Sequence, residues 1–270
     1  MSDPIAVNQA RWDEVVGVHL ASNMYDMAAF KAGARGLHSI EAEELGDISG
    51  QDVLHLQCHF GMDSLALARM GARVTGLDFS GEAIKAARAL SADIDVPATF
   101  VQGDVYAAPD LIAGKFDLVF VTWGTICWLP DIERWARVIA HFLRPGGRLL
   151  LADAHPFALS LDDESDADIL QPRYGYFHKP EPLIFDDPSD YSDDKAVIKN
   201  SKTYEWIHPI GEIVTALADA ELGIRSLKEY DALPWRLFPN MTEGEDRLWR
   251  LPAGAPQIPL SFSLITVKPG

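Results

Sequence analysis

The chain has 270 residues, with 23 Lys and Arg against 40 Asp and Glu, for a formal net charge of -17. Hydrophobic residues make up 48% and charged residues 23%, a globular balance that excludes wholesale disorder. The negative field repels phosphate backbones, so neither nucleic acid nor an anionic membrane is expected as a main partner.

A chain of this length forms one large domain or two small ones and buries roughly 70–75% of its unfolded surface. Two cysteines, Cys58 and Cys127, cannot build a disulfide framework or a four-cysteine zinc site. Both lie in apolar surroundings and read as free buried thiols, which suits a reducing compartment. The start MSDPIAVNQARWDEVV lacks the basic-then-apolar pattern of a signal peptide. No run approaches the ~18 apolar residues of a membrane helix. A cytoplasmic protein, monomeric or homodimeric, is the expectation.

Residues 1–50 form a predicted N-terminal helical cap. Trp12, Val15, Val16 and His19 recur at helical spacing, and Tyr25, Met27 and Phe30 follow in a second amphipathic stretch. After a turn at Gly46–Gly50, residues 51–155 alternate strand and helix. DVLHLQ is the first strand, and MDSLALARM is a helix stopped by Gly71. ARVTGLD is the second strand, and Ser80 is the expected N-cap of the helix GEAIKAARAL. ATFVQGD and FDLVFVT are the third and fourth strands. DIERWARVIAHFL is an amphipathic helix stopped at Arg144-Pro145-Gly146-Gly147, and RLLLADA is the fifth strand. This alternation predicts βαβ units with right-handed crossovers.

Residues 156–205 break the rhythm. Pro156 to Asn200 holds eleven Asp and Glu against four Lys and Arg, with Tyr174, Tyr176, Phe177, Phe185 and Tyr191. A long aromatic-rich excursion inside a compact domain predicts a lid. Residues 206–270 complete the core with the helix PIGEIVTALADAEL, stopped by Gly223, and the strand IRSLKEY. A proline-rich loop carrying Trp235, Phe238 and Trp249 leads to the last strand, LSFSLITV. The fold class is α/β, a doubly wound seven-stranded mostly parallel sheet.

In such sheets ligands bind beyond the carboxyl ends of the strands. The second strand ends at Asp78, where a carboxylate can accept both ribose hydroxyls of an adenosine ligand. The third ends at Asp104, which can accept from an exocyclic amino group. Two carboxylates at adjacent tips suit an adenosine without phosphates and would repel a pyrophosphate. A dinucleotide fingerprint needs glycine at 57, 59 and 62. Gln57, His59 and Met62 stand there, which argues against a nicotinamide or flavin oxidoreductase.

The order of elements over roughly residues 50–155, and again from 208 onward, resembles the class I S-adenosylmethionine-dependent methyltransferases. That family carries an acidic-x-Gly-x-Gly-x-Gly loop after the first strand. Here those positions are His55, Gln57, His59 and Gly61, so only the last glycine remains. The form LHLQCHFG is similar to that of a bacterial subgroup described as methyltransferases. The likeness extends to WLPD at Trp128–Asp131, to His155-Pro156 and to EWIHPIGEIVTALADA.

The resemblance implies S-adenosylmethionine as cofactor, with Asp78 on the ribose, Asp104 and Val105 on the adenine, and Gly61 lining the methionine moiety. Phe79 and Thr122 complete the expected cofactor set. Gln57 and His59 can meet the ligand's amino-acid end or bond to local backbone. The free N–H groups of the helix opening near Met62 or Asp63 favour its carboxylate. Trp123 is expected beside the adenine or the methyl acceptor, and Tyr25 over the methionine end. Trp128 and Trp135 are assigned to the core or a helix surface. His55, Cys58 and His59 lack the further ligand a closed zinc site needs, so no metal is expected. His155, just past the fifth strand, is the candidate general base, with His178 and His208 as weaker alternatives. The functional expectation is methyl transfer to a small-molecule acceptor. A non-catalytic cofactor-binding protein is the competing class.

Overall fold

The computed structural model describes residues 3–34, 36–164, 170–193 and 195–270. The part of the predicted lid at 165–169, and Asp194, lie outside the described residues.

Three helices come first: α1 (Pro4–Ala21), α2 (Met27–Lys31) and α3 (Ser39–Leu45). The βα alternation follows with β1 (Asp52–Leu56), α4 (Met62–Arg69), β2 (Arg73–Asp78), α5 (Gly81–Asp93), β3 (Thr99–Gln102), α6 (Ala108–Leu111), β4 (Phe116–Thr122), α7 (Ile132–Phe142) and β5 (Leu143–Ala154). Beyond it lie α8 (Pro156–Leu159), β6 (Leu183–Asp186), β7 (Lys202–Glu205), α9 (Ile210–Asp219), β8 (Gly223–Tyr230), β9 (Thr242–Glu243), β10 (Trp249–Arg250) and β11 (Ser261–Val267). The seven-stranded sheet runs β3-β2-β1-β4-β5-β11-β8. β11 is antiparallel to both neighbours, and the other pairings are parallel.

The central strands are apolar on both faces because helices cover both. Leu54, Leu56, Val119 and Val121 face one layer with Trp135, Ile139 and Phe142 of α7. Val53, Leu118, Phe120 and Leu150 face the other. Capping fixes where the helices begin. Ser80 Oγ accepts from Ala83 N at 3.0 Å, and Asp131 Oδ1 accepts from Arg134 N at 2.8 Å, each satisfying a donor the helix leaves open.

Three features differ from expectation. The second amphipathic stretch yields only the short α2, and α3 carried no strong periodic signal. The Pro-Gly-Gly turn is absorbed into an irregular start of β5, where Phe116 pairs with Leu143 and Leu118 with Arg148. The acidic excursion contains an antiparallel ribbon, β6 with β7, and a second ribbon joins β9 to β10.

α1 clamps the excursion to the core. Asn8 Nδ2 donates to Tyr204 O, and Arg11 donates to the carbonyls of Asp187, Ser189 and Ser201. Glu14 accepts from the backbone of Lys199 and Asn200. On its other side, Gln9 donates to Phe79 O, and Asp13 accepts from Ser80 Oγ. One helix thus ties the lid to the carboxyl edge of the sheet.

Candidate active site

A cavity of about 630 Å³ opens at the carboxyl edge of β1 to β4, beneath α1 and the lid. Its size and mostly apolar walls with a few polar groups suit a small-molecule site.

The β1–α4 loop forms one wall. Gln57 and His59 have φ of 56° and 50°, and Gly61, the N-cap of α4, has φ of 77°. A Cβ at Gly61 would stand 2.6 Å from the Phe100 ring and 2.9 Å from Ala87 Cβ, so only glycine fits there. His59 N donates to Asp78 Oδ2 at 2.8 Å and Ser80 N to Oδ1 at 2.9 Å, which locks this loop onto the tip of β2. Burial raises Asp78 to about 6, against the pull of those two bonds. Gln57 Nε2 donates to Thr125 O at 2.9 Å, joining the loop to the one after β4. Gln57 Oε1 and His59 Nε2 are buried and have no hydrogen-bond partner among the described residues.

Asp104 Oδ1 accepts from Tyr106 N at 2.6 Å and caps the 3-10 turn Val105–Ala107. Asp104, Val105, Phe79, Thr122 and Trp123 all line the cavity. Thr122 Oγ1 donates to Asp63 at 3.4 Å in the first turn of α4. Trp123 has φ of 52°. The loop after it is held by Asp153 at the end of β5, which accepts from the backbone N–H of Gly124, Thr125 and Ile126. Asp153 escaped the sequence reading; its signal was an acidic residue closing the apolar strand RLLLADA.

Tyr25 also lines the cavity, within an aromatic cluster. It stacks on His19 at 5.2 Å, meets Phe60 edge-on at 4.9 Å, and its hydroxyl is 2.5 Å from that of Tyr191. Trp12 stands edge-on to His59 at 5.2 Å and to Trp128 at 5.4 Å. Trp135 is fully buried in the core. Trp128, assigned to core or helix surface, is a cavity residue instead.

The lid end of the cavity carries Glu205, at the end of β7, among Cys127, Leu159, Phe185 and Leu237. Thr203 Oγ1 donates to it at 3.0 Å, and burial pushes it up to about 7. Glu205 lacked a sequence signal because nothing in KTYEW marks that strand as cavity-facing.

His155 is not among the cavity residues. Its Nδ1 accepts from Phe157 N at 3.1 Å as the N-cap of α8, and its Nε2 is 3.0 Å from Glu229 on β8. Both ring nitrogens are thus engaged, so the structure places the candidate general base in a capping position outside the cavity lining. His178 and His208 are likewise outside the cavity. They stack at 4.6 Å beside Glu212 on α9, and His208 Nε2 is 2.7 Å from Leu129 O, so the pair joins the lid to the core. His55 is buried, bonds Ser64 Oγ at 2.8 Å, and is lowered by burial to about 3, a neutral core histidine. No helix among the described residues is long and apolar enough to cross a membrane.

A family model described as a methyltransferase domain matches residues 53–147, the stretch that carries the β1–α4 loop, Asp78, Asp104 and Trp123. Over those residues the chain is similar to methyltransferase domains. The ubiquinone biosynthesis O-methyltransferase of Pectobacterium atrosepticum is 30% identical over 140 residues, 49% of this chain and 56% of that protein. An uncharacterized methyltransferase of Synechocystis is 36% identical over 127 residues, 46% of this chain and 56% of that one. The match thus spans about half the length of these curated relatives. Among solved structures, an S-adenosylmethionine-dependent methyltransferase from Clostridium acetobutylicum superposes with a TM-score of 0.58 at 14% identity, covering 91% of this chain and 93% of that one. The glycopeptide N-methyltransferase MtfA, complexed with sinefungin, gives 0.55 at 20% identity, covering 88% and 89%. At these identities the superpositions establish the fold. The matched residues span the sheet from β1 into β5; α1, the lid and the segment carrying Trp235 and Leu237 lie outside them and also line the cavity.

Proposed function

We propose that the protein binds S-adenosylmethionine at the carboxyl edge of its methyltransferase domain and transfers the methyl group to a small-molecule acceptor. The observation that carries this reading is the convergence of Asp78, Asp104, the Gly61 turn and the amino end of α4 on one cavity. The residues fit the ligand. The Gly61 turn leaves no room for a side chain, and Gln57 Oε1 is a buried acceptor in need of a donor. Asp78 would take the ribose hydroxyls, and Asp104 with Val105 the adenine. The α4 N-terminus would meet the carboxylate of the amino-acid end, and Gln57 Oε1 its ammonium. When bound, this cofactor supplies an activated methyl group, so the protein's task is chiefly to position and desolvate the acceptor.

Around the buried carboxyl of Glu205 the cavity carries Phe185, Leu159, Leu237 and Cys127. Arg11 also lines the cavity, with its guanidinium donating to three lid carbonyls. A compact, partly apolar acceptor, neutral or cationic, matches that lining.

Calorimetry with S-adenosylmethionine, S-adenosylhomocysteine and NAD is the first test. Binding of the first two and not the third is expected. Binding of NAD alone would overturn the reading. Transfer of labelled methyl into small-molecule extracts then separates an enzyme from a protein that only binds the cofactor.

A further inference from the structure

The cavity contains a buried histidine–carboxylate pair assembled from two distant segments. His19 lies in the last turn of α1 and Asp190 in the lid, 171 positions apart, with Nε2 and Oδ2 3.0 Å apart. Both are buried and both line the cavity. Asp190 Oδ1 accepts from Ser192 N at 2.9 Å and from Ser192 Oγ at 2.6 Å. Burial opposes ionisation of Asp190, but the bonds from His19 and Ser192 outweigh it and hold the carboxyl at about 2. An ionised carboxylate only accepts, so Nε2 of His19 carries the proton in this contact. The other ring nitrogen, Nδ1, has no hydrogen-bond partner among the described residues.

We propose that His19, oriented by Asp190, is the proton acceptor of the methyl-transfer reaction. The methyl acceptor is then one whose nucleophilic atom arrives carrying a proton: a hydroxyl or an ammonium group, not a thioether or a tertiary amine. This rests on the reading given under Proposed function. The step balances simply. The acceptor's O–H or N–H bond breaks, an N–H bond forms at His19 Nδ1, and the electron pair stays on the acceptor atom as the nucleophile. The imidazolium so formed faces the Asp190 carboxylate, the arrangement that fixes the tautomer and stabilises the charge in histidine–carboxylate catalysis.

The surroundings favour this assignment over a purely structural latch. The rings facing His19 are Tyr25, Tyr191, His59 and Trp12, at centroid distances of 5.2, 5.0, 5.0 and 5.9 Å. Burial keeps His59 neutral. The guanidinium of Arg11, two turns earlier on α1, is turned to the lid carbonyls. No ion pair beyond Asp190 is made by His19 among the described residues. A buried ring nitrogen left without a partner is a standing cost that a bound donor removes, and what separates His19 from His55 and His59, which each also have an unpartnered ring nitrogen, is the carboxylate of Asp190 at its other nitrogen. His19 also adjoins His59, in the loop that meets the cofactor's amino-acid end, whereas Glu205 sits at the lid end of the cavity.

The test has two arms. In ligand-free protein, nitrogen-resolved NMR of the imidazoles should show His19 as the Nε2–H form, and Asp190→Asn should change its tautomer balance. In turnover assays His19→Gln and Asp190→Asn should lower kcat by about 10²–10⁴-fold, the usual worth of a general base. Calorimetric affinity for S-adenosylmethionine should stay close to that of the unmodified protein. The acidic limb of the kcat/KM profile should vanish in His19→Gln and persist in Glu205→Gln. A limb that survives in His19→Gln, or is lost with Glu205→Gln, overturns the proposal. So does an Nδ1–H ring, or a change confined to KM. Should His19→Gln fail to fold, Asp190→Asn and the NMR arm still decide. Should the unmodified protein bind no S-adenosylmethionine, the functional reading fails, and the NMR arm judges the pair independently.

Discussion

Asp78→Asn separates what this carboxylate does for folding from what it does for binding. Asp78 is 6% exposed and accepts two backbone N–H bonds, yet burial still raises it from 3.8 to about 6. The raised value already includes those bonds. The gap between 3.8 and about 6 corresponds to about 3 kcal/mol by which ionised Asp78 disfavours the folded state at neutral pH. Asparagine keeps the shape and one acceptor, and has no charge to desolvate. The variant should therefore be at least as stable as the parent at pH 8. The sign also fixes the pH dependence. The folded state holds the extra proton between about pH 4 and 6, so the parent loses stability relative to the variant as pH rises through that window, and the two curves converge below about pH 4. Nucleoside binding should move the opposite way. Losing a charged acceptor for the ribose hydroxyls costs about 1.5–3 kcal/mol, a weakening of about 10- to 150-fold. Urea unfolding at pH 5 and pH 8, with calorimetry against S-adenosylmethionine, reads both. Unchanged affinity would refute the placement of the ribose, and a large loss of stability at pH 8 would refute the claim that the buried charge is unfavourable.

Gly61→Ala should destabilise by about 2–5 kcal/mol. A side chain at φ of 77° costs about 1–2 kcal/mol, and the Cβ collides with Phe100 and Ala87 in a packed cluster, which adds about 1–3 kcal/mol; urea unfolding measures the sum. His155→Ala should cost about 0.5–2 kcal/mol as a lost helix cap and leave turnover intact; a collapse of kcat in a folded variant would restore the catalytic assignment. Across pH, Glu41 and Glu205 are raised by burial to about 8 and about 7, so with Asp78 they favour folding when protonated, and stability falls as pH climbs above about 4.5. His55, lowered by burial, and Asp52, held near 2 by bonds from Arg73 and Arg144, act in reverse and lose their contribution as pH falls. The melting temperature should peak on the acid side of neutrality, between about pH 5 and 6.5; a steady rise from pH 6 to pH 8 would contradict these assignments.

The sheet was legible because its strands are short apolar runs with polar punctuation. FDLVFVT is buried nearly throughout β4, and both its residue faces meet helices. Ser80 and Asp131 marked helix starts through local chemistry alone. The strand tips followed from topology, so Asp78 and Asp104 reached the cavity as expected. Residues whose role depends on distant partners were harder. Nothing near His19 in sequence announces Asp190, and Glu205 becomes a cavity carboxyl only because β7 pairs with β6 and lies against α1. His155 failed for the converse reason. Its position after a strand suggested the ligand edge, but the following Pro156 starts a helix that takes its ring as a cap.

The loop after β1 shows why a departure from a glycine pattern need not mean a lost site. The sequence resemblance puts glycines at Gln57 and His59, and both take left-handed backbone, as Gly61 does. A side chain there costs about 1–2 kcal/mol per residue, and Trp123, at the end of β4, carries the same strain. All three line one cavity, and such strain persists only where surrounding structure fixes it. The fixing contacts are identifiable. Asp78 holds the amide of His59, Thr125 O holds the side chain of Gln57, and Asp153 holds the loop after Trp123. These contacts hold a left-handed path through the loop, with an amide and an imidazole along its wall. In a glycine loop the backbone alone would line that wall; here Gln57 Oε1 and His59 Nε2 add buried polar atoms without partners. The two side chains thus add hydrogen-bonding capacity to the cavity wall beside the Gly61 turn.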